Sequence, residues 1–401
     1  MSARGFRHAG HTPTLLAALV HFDVSFMVWV LLGALGAYVA KDLGLSAAQK
    51  GVMVAVPALG GAAFRLIVGP LADRAGTKRT GLVTLALTLV PLGWGWLAGG
   101  TYPQVLGIGA LLGVAGASFV VALPLASRWY PPEHQGLALG IAGAGNSGTL
   151  IAALAAPRVA EHVGWHGAFG VAAVPVALAW LVFALLAKEP PRPAASASDG
   201  KVLSLLEEPD ARWLCSFYLV TFGGFVGLAA YLPIFFVDSF GLARVSAGGY
   251  AALCAAAGSF LRPLGGAIAD RVGGGRVLGA ALGLVAALSL ALATGPALLG
   301  TVAVLFVVLG ALGIGNGAVF QLVGNRFPAR MGAMSGLVGA AGGVGGFLLP
   351  FAFGSLRGAT GGFAAGFVLF AVVAGCASFG VDRCRRVWRA MGHRPELEVA
   401  V

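Results

Sequence analysis

Arg65 and Arg262 each stand well inside an apolar block, in FRLIVGPLADRAG at 64–76 and LRPLGGAIADRVG at 261–273. A guanidinium near mid-membrane costs about 2.5–3.5 kcal/mol even on the lenient insertion scale. Two of them also repel each other, and no equally deep carboxylate stands beside either one. The economical partner is an anion brought from outside. Arginine rather than lysine favours a flat oxyanion, because its rigid fork of donors matches two oxygens in one plane. The alternative is that each arginine bonds to backbone carbonyls or snorkels to the surface. Arg65 is about 12 Å along a helix from Asp73, which is too far to snorkel comfortably.

Glycine surrounds the next group of candidates. Residues 140–150 read GIAGAGNSGTL, and a similar texture returns at 336–346 as GLVGAAGGVGG. Gly136, Gly140 and Gly143 share one helical face, as do Gly332, Gly336, Gly339 and Gly343, and such faces let helix backbones approach closely. Asn146 differs, since a buried amide needs partners. It can offer a donor to an oxyanion or bond across to a neighbouring helix. In LVHFDVSFMVW at 19–29, His21 and Asp23 fall about a third of the way into an apolar run. An ionisable residue at that depth serves either as a proton carrier or as a local polar contact, between His21 and Asp23 or to a neighbouring helix. Asp23 is the plausible carrier for anion symport.

These residues need elements that hold them inside a bilayer, and the composition supplies them. Of 401 residues 58% are hydrophobic and only 10% charged, with mean hydropathy +0.89; a soluble domain carries about 25% charged residues. A spanning helix takes about 20 apolar residues, and blocks of that size recur about twelve times from Thr14 to the arginine run near 385. The alternating runs of a β-barrel are absent. The expected fold is therefore all-α, with twelve transmembrane helices. Arg4 and Arg7 before the first apolar run resemble a secretory signal, but that run continues to about Ala40 without a cleavage site, so it reads as the first spanning helix.

A net charge of +11 would suggest nucleic acid in a soluble chain. Its placement argues otherwise. With both termini cytoplasmic, 19 of the 26 Lys and Arg fall on the inner side, 5 on the outer side and 2 within the membrane. That is a positive-inside bias and not a nucleic-acid footprint. The expectation is a multi-pass protein of the cytoplasmic membrane, its partners the lipid bilayer and a small anion.

The longest polar stretch, KEPPRPAASASDGKVLSLLEEPDAR at 188–212, has the Pro, Ala and Ser content of a linker and divides the blocks six and six. The expected organisation is a cytoplasmic tail at 1–12, a six-helix half at 13–187, a cytoplasmic linker at 188–210, a second six-helix half at 211–383 and a cytoplasmic tail at 384–401. The halves align at an offset near 197, which sets Arg65 over Arg262, Asp73 over Asp270 and Gly76 over Gly273; PEHQGLALGIAGA at 132–144 matches PARMGAMSGLVGA at 328–340. Two parallel repeats with a midplane site between them is the plan of the major facilitator superfamily.

GPLADRAGTKR at 69–79 resembles that superfamily's signature between the second and third helices, and GAIADRVGGGR at 266–276 resembles its weaker copy. The resemblance implies a gate formed by Asp73, Arg74 and Arg79 with Asp270 and Arg271, in which Asp73 caps a neighbouring helix N-terminus in one of the two access states, where the dipole favours an anion. The plainer reading is a solvated loop obeying the inside rule. GLALGIAGAGNSGTL followed by APRVAEHVGWHGAFG, together with GNGAVFQLVGNRFPARMGAMSGLVGAAGGVGGFLLP, resembles the paired glycine-rich signatures of the nitrate/nitrite porters, the NarK-like branch of the superfamily. The likeness covers most of the chain outside the linker and tails. It implies a clamp of Arg65 and Arg262 on nitrate or nitrite, with Asn146 donating and Gly143 and Gly339 thinning the fifth and eleventh helices beside the substrate. FYLVTFGGF at 217–225 resembles the family's segment with a substrate-contacting tyrosine and an aromatic one turn later, here Tyr218 and Phe222. GASF at 116–119 suggests Phe119 as a ring sandwiching the anion. The family often has Asn where Ser118 stands, and both phenylalanines read equally as ordinary packing.

The resemblance implies a monomeric secondary transporter of nitrate, nitrite or both, working as a proton symporter or as a nitrate/nitrite exchanger. A superfamily carrier of another small anion is the neighbouring alternative. No His and Cys cluster with ligand spacing, no GxxxxGK loop and no nucleophile elbow is present, so catalysis, a metal and a cofactor are not expected. Cys215, Cys254, Cys376 and Cys384 show no CxxC spacing.

Overall fold

The computed structural model describes residues 9–189, 202–327 and 330–390. Arg4, Arg7, most of the linker and the residues after 390 lie outside the described residues, and so do the surroundings of Gly136 and Gly332. Everything described is helix, turn or short connection, with no strand among the described residues.

Helix α1 runs in three pieces, Thr12–Trp29, Leu31–Ala34 and Gly36–Asp42. It is followed by α2 (Ala47–Ala75), α3 (Thr77–Leu97) and α4, which is divided into Tyr102–Gly116 and Phe119–Ser127. Helix α5 starts as Pro132–Gly143, tightens into a 3-10 turn at Ala144–Ser147 and resumes at Gly148. The run Gly148–Leu186 is interrupted at Gly164 (φ 71, ψ 169), which no helix accommodates. Beyond it α6 returns along α3: Phe169 packs on Gly95 at one end and Phe183 on Gly81 at the other. The second half comprises α7 (Pro209–Phe240), α8 (Arg244–Val272), α9 (Gly274–Ala293), α10 (Leu298–Arg326), α11 (Met331–Thr360) and α12 (Ala364–Ala390). Among the described residues eleven stretches are long and apolar enough to cross a membrane. One of them, Ala138–Leu186, has 49 residues, about 74 Å of helix. Split at Gly164, it makes two crossings, so the described chain crosses twelve times.

The repeat is visible in the backbone. Gly76 ends α2 with φ 95 and Gly273 ends α8 with φ 93, both in the region only glycine enters freely. Helix α2 opens on a capping box, Ser46 and Gln49 each bonding the other's backbone N–H.

With twelve crossings both termini lie on one side of the bundle, here the near side. On the far side the halves are sealed together. A Cβ on Gly51 of α2 would stand 2.5 Å from the Pro350 carbonyl of α11, one on Gly354 2.6 Å from the Ala47 carbonyl, and one on Gly248 of α8 2.5 Å from the Ala153 carbonyl of α5. Lys50 of α2 also reaches Asp238 of α7 at 3.0 Å, and Asp238 pairs with Arg357 of α11. None of these three residues was singled out from the sequence.

Toward the near side the same helix faces part. A Cβ on Gly339 would touch Phe119 at 3.6 Å, while Gly336, one turn nearer the termini, has nothing within 4 Å, and nor do Gly140 and Gly143. The near-side ion pairs Asp73–Arg128 and Arg326–Asp210 each stay within one half. The molecule is closed on the far side and open on the near side.

The glycines therefore divide into two kinds, with opposite expectations for a methyl group. Gly148→Ala places a Cβ 2.0 Å from the Asp23 carbonyl, and such overpacking costs about 1–3 kcal/mol. Gly140→Ala meets open space and gains about 0.5–1 kcal/mol of helix propensity. Thermal unfolding of the purified variants in detergent should show the first destabilised and the second unchanged or raised.

Candidate functional site

The break in α4 prepares the site. Val120 N–H bonds to the Ala117 carbonyl and Ser118 N–H to the Ala115 carbonyl, so the backbone tightens and the Gly116 carbonyl loses its usual partner four residues on. Arg65 takes it, with Nε donating to Gly116 O at 2.9 Å. Its Nη1 donates to the Gly339 carbonyl across the boundary between the halves. The third nitrogen, Nη2, is buried and has no partner. Backbone carbonyls therefore take two of the three guanidinium nitrogens, as the plainer sequence reading allowed, and leave the last one pointed at nothing.

Arg262 is arranged the same way from the other half. Its Nη2 donates to Tyr218 Oη at 3.3 Å and its Nη1 is buried without a partner. The two guanidinium carbons lie 5.8 Å and 5.9 Å from the centre of the Phe119 ring. Phe222 and Trp29 cover Arg65 at 5.4 and 5.1 Å, and Phe320 covers Arg262 at 5.5 Å. Tyr218 and Phe222 stack at 4.9 Å with an interplanar angle of 5°. Ring faces attract cations, by about 2 kcal/mol or more when desolvated, so the cage makes burial of two positive charges tolerable without neutralising them. Arg65 is 2% exposed and Arg262 9%.

Asn146 sits in the 3-10 turn of α5. Its carbonyl accepts from Ser259 Oγ of α8 at 3.3 Å, one turn before Arg262, while its side-chain oxygen is buried and without a partner. The bond across to the neighbouring helix is thus made by the backbone, and the side-chain oxygen is left over. Gly339 offers Arg65 its carbonyl; Gly143, with open space beside it, touches neither arginine. The close helix approach in α5 comes instead from Gly145 against Phe22 and Gly148 against Asp23.

Asp23 and His21 diverge. Asp23 accepts a hydrogen bond from Ser147 Oγ of α5 at 2.6 Å. The His21 ring lies against Phe183 of α6, their centroids 4.8 Å apart.

At the near-side turns Asp73 pairs with Arg128 of α4 at 3.0 Å. The carboxylate that caps a helix N-terminus there is Glu189, which accepts from Thr77 N–H at 2.7 Å and Lys78 N–H at 2.8 Å. Arg74, Arg79, Asp270 and Arg271 are exposed at the two repeated turns. In the second half Arg326, which follows the same stretch as Arg128, pairs with Asp210. Among the described residues no group of His, Cys, Asp and Glu has the arrangement to hold a metal ion.

Trp29, Phe320 and Ser147 belong to this constellation and were not picked out from the sequence. Each lies in an apolar or glycine-rich run whose inward face only packing reveals. The one signal available was position, since Ser147 directly follows Asn146.

Two repeated six-helix halves closing on a charged midplane site form a secondary-transporter architecture. The model of the Major Facilitator Superfamily matches residues 17–350. The probable nitrate/nitrite transporter NarK2 of Mycobacterium tuberculosis is 35% identical over 353 residues, covering 86% of this chain and 89% of that protein. A nitrite extrusion protein of Bacillus subtilis is 34% identical over 355 residues, covering 88% and 89%. Among solved structures, an inward-facing bacterial homologue of the human lysosomal transporter Spinster superposes with TM-score 0.73 at 18% identity, over 92% of this chain and 96% of that one. The chain belongs to the major facilitator superfamily, and within it to the nitrate/nitrite porter family of these relatives.

A cation buried without a counterion weighs on stability. Replacing Arg262 by methionine, similar in length and apolar, should make the protein more heat-stable by about 1–4 kcal/mol. Melting temperatures compared in detergent free of added anion check this.

Proposed function

We propose that this protein carries nitrate, nitrite or both across the cytoplasmic membrane, taking one anion at a time between Arg65 and Arg262. The observation that carries the reading is the pair of unpartnered guanidinium nitrogens, one from each half, on either side of the Phe119 ring. A flat anion accepts from both nitrogens and offsets the repulsion of the two guanidinium groups. Tyr218 orients Arg262, Asn146 offers its amide nitrogen as a donor, and Phe119 and Phe222 supply the flat walls. The relatives' names give this chemistry a cargo, since they transport nitrate or nitrite.

Binding then drives alternating access. Arg65 already bonds across to Gly339, so an anion shared with Arg262 draws the halves together where they now part. Closing the near side moves Gly140, Gly143 and Gly336 into contact and releases the Lys50–Asp238 lock on the far side. Asp73 with Arg128, and Asp270 and Arg271 in the second half, mark the near-side gate, with Arg74 and Arg79 at its rim. The near side is cytoplasmic by its arginine and lysine excess. The carrier works as a monomer, because both halves of its site lie in one chain.

Coupling to protons through Asp23 is the favoured mode. The nitrite extrusion name of the Bacillus subtilis relative favours a second one, exchange of nitrate for internal nitrite. Proteoliposomes holding the purified protein distinguish them: uptake driven by an inward proton gradient marks symport, and uptake driven by internal nitrite alone marks exchange.

The clamp itself is tested by Arg65→Lys, which keeps the charge and loses the fork. Loss of a charged hydrogen bond costs about 1.5–3 kcal/mol, so apparent nitrate affinity should fall about 10- to 150-fold. Uptake at the wild-type level would remove the clamp.

A further inference from the structure

Ser147 Oγ has two acceptors and one hydrogen. It stands 2.6 Å from Asp23 Oδ1 and 2.8 Å from the Ala144 carbonyl. With Asp23 ionised, the hydroxyl donates to the carboxylate. With a proton on Asp23, the carboxyl donates to Ser147 Oγ and the hydroxyl turns to the Ala144 carbonyl, so the hydroxyl follows the proton.

We infer that Asp23, Ser147 and the Ala144 carbonyl form the site of the co-transported proton, and that the 3-10 turn of α5 couples it to the anion clamp. The inference rests on the carrier reading above and deepens it. The turn is held tightly enough to transmit a change. Gly145 and Gly148 bring α5 onto the backbone of α1, where a Cβ on Gly148 would stand 2.0 Å from the Asp23 carbonyl and 2.6 Å from Met27 N. Asn146 is the next residue along the turn, and its carbonyl takes Ser259 of α8, one turn from Arg262. A proton arriving at Asp23 thus acts on a segment that bridges the two halves beside the clamp.

Charge gives the coupling its direction. Arg65, Arg262 and ionised Asp23 leave the empty carrier with one net positive charge at its centre. One anion with one proton restores the same value, whereas a proton alone adds charge to a region where each charge is costly. The balanced step is one proton bound at Asp23 for one anion carried, with no net charge moved by the pair.

The other ionisable groups on the surrounding helices have other neighbours. His21 of α1 packs on Phe183 of α6, and Arg262 of α8 bonds Tyr218. Arg65 of α2 bonds Gly116 and Gly339. Arg128 pairs with Asp73, and the Lys78 ammonium of α3 donates to the Ala184 carbonyl, at the near-side rim. His134 of α5 lies more than three turns toward the near side.

Full-length protein in proteoliposomes tests this in two arms, nitrate counterflow without a gradient and nitrate accumulation under an inward proton gradient. Asp23→Asn should lose the accumulation and retain measurable counterflow. Ser147→Ala removes the hydroxyl that both forms of the carboxyl use, so the pH of half-maximal accumulation should move by about one unit. Accumulation at the wild-type level in Asp23→Asn, or an unmoved pH profile in Ser147→Ala, overturns the proton site. If Asp23→Asn fails to fold, the Ser147→Ala profile decides. Absence of counterflow in the wild type defeats the carrier reading instead. The proton site then stands or falls on infrared titration, where a protonated-carboxyl band should be present in the wild type and displaced in Ser147→Ala.

Discussion

Two guanidinium groups held in a membrane interior without a carboxylate between them set the terms for the rest of the molecule. Neither can be fully satisfied by protein alone. Arg65 uses a carbonyl freed by the break in α4 and another from the opposite half, and Arg262 has one tyrosine hydroxyl. Aromatic faces take the remaining load. Because rings attract cations without cancelling their charge, the field stays positive where an anion arrives. A carboxylate in the same place would stabilise the empty carrier and compete with its cargo.

The glycine-rich helices follow from that constraint. A small anion can touch both arginines only if the halves come within a few ångströms of each other, and side chains larger than hydrogen on α5 and α11 would hold them apart. On the far side that approach is complete, with backbones in contact at Gly51, Gly248 and Gly354. On the near side it is pending. Glycine is thus used twice, as a seal in one place and as clearance in another, while Gly145 and Gly148 fix α5 to α1 within one half.

Much of this was legible in the sequence because it depends on types that are costly in a membrane. The twelve apolar blocks, the division into halves, the repeated Arg65/Arg262 and Gly76/Gly273 positions and the superfamily itself all follow from composition, spacing and motif, and the described chain agrees. What remained hidden depends on which way a helix face turns. Asp73 was expected at a helix N-terminus in one of the two access states; in this state, open on the near side, Glu189 takes that place and Asp73 meets Arg128, since a cap is decided by where the end of α6 returns. Trp29 and Phe320 were invisible among many equivalent aromatics. The Lys50–Asp238–Arg357 lock joins three segments far apart in the chain, and no local pattern announces it.

The central claim is that one anion bridges both arginines, and a double-mutant cycle measures that bridging directly. Nitrate binding by calorimetry to the wild type, to Arg65→Lys, to Arg262→Lys and to the double variant gives the coupling between the two positions. A shared anion predicts strong coupling, with the double variant losing little more affinity than either single one. Losses that simply add would mean that the arginines act on separate ligands, and the bridge would be contradicted.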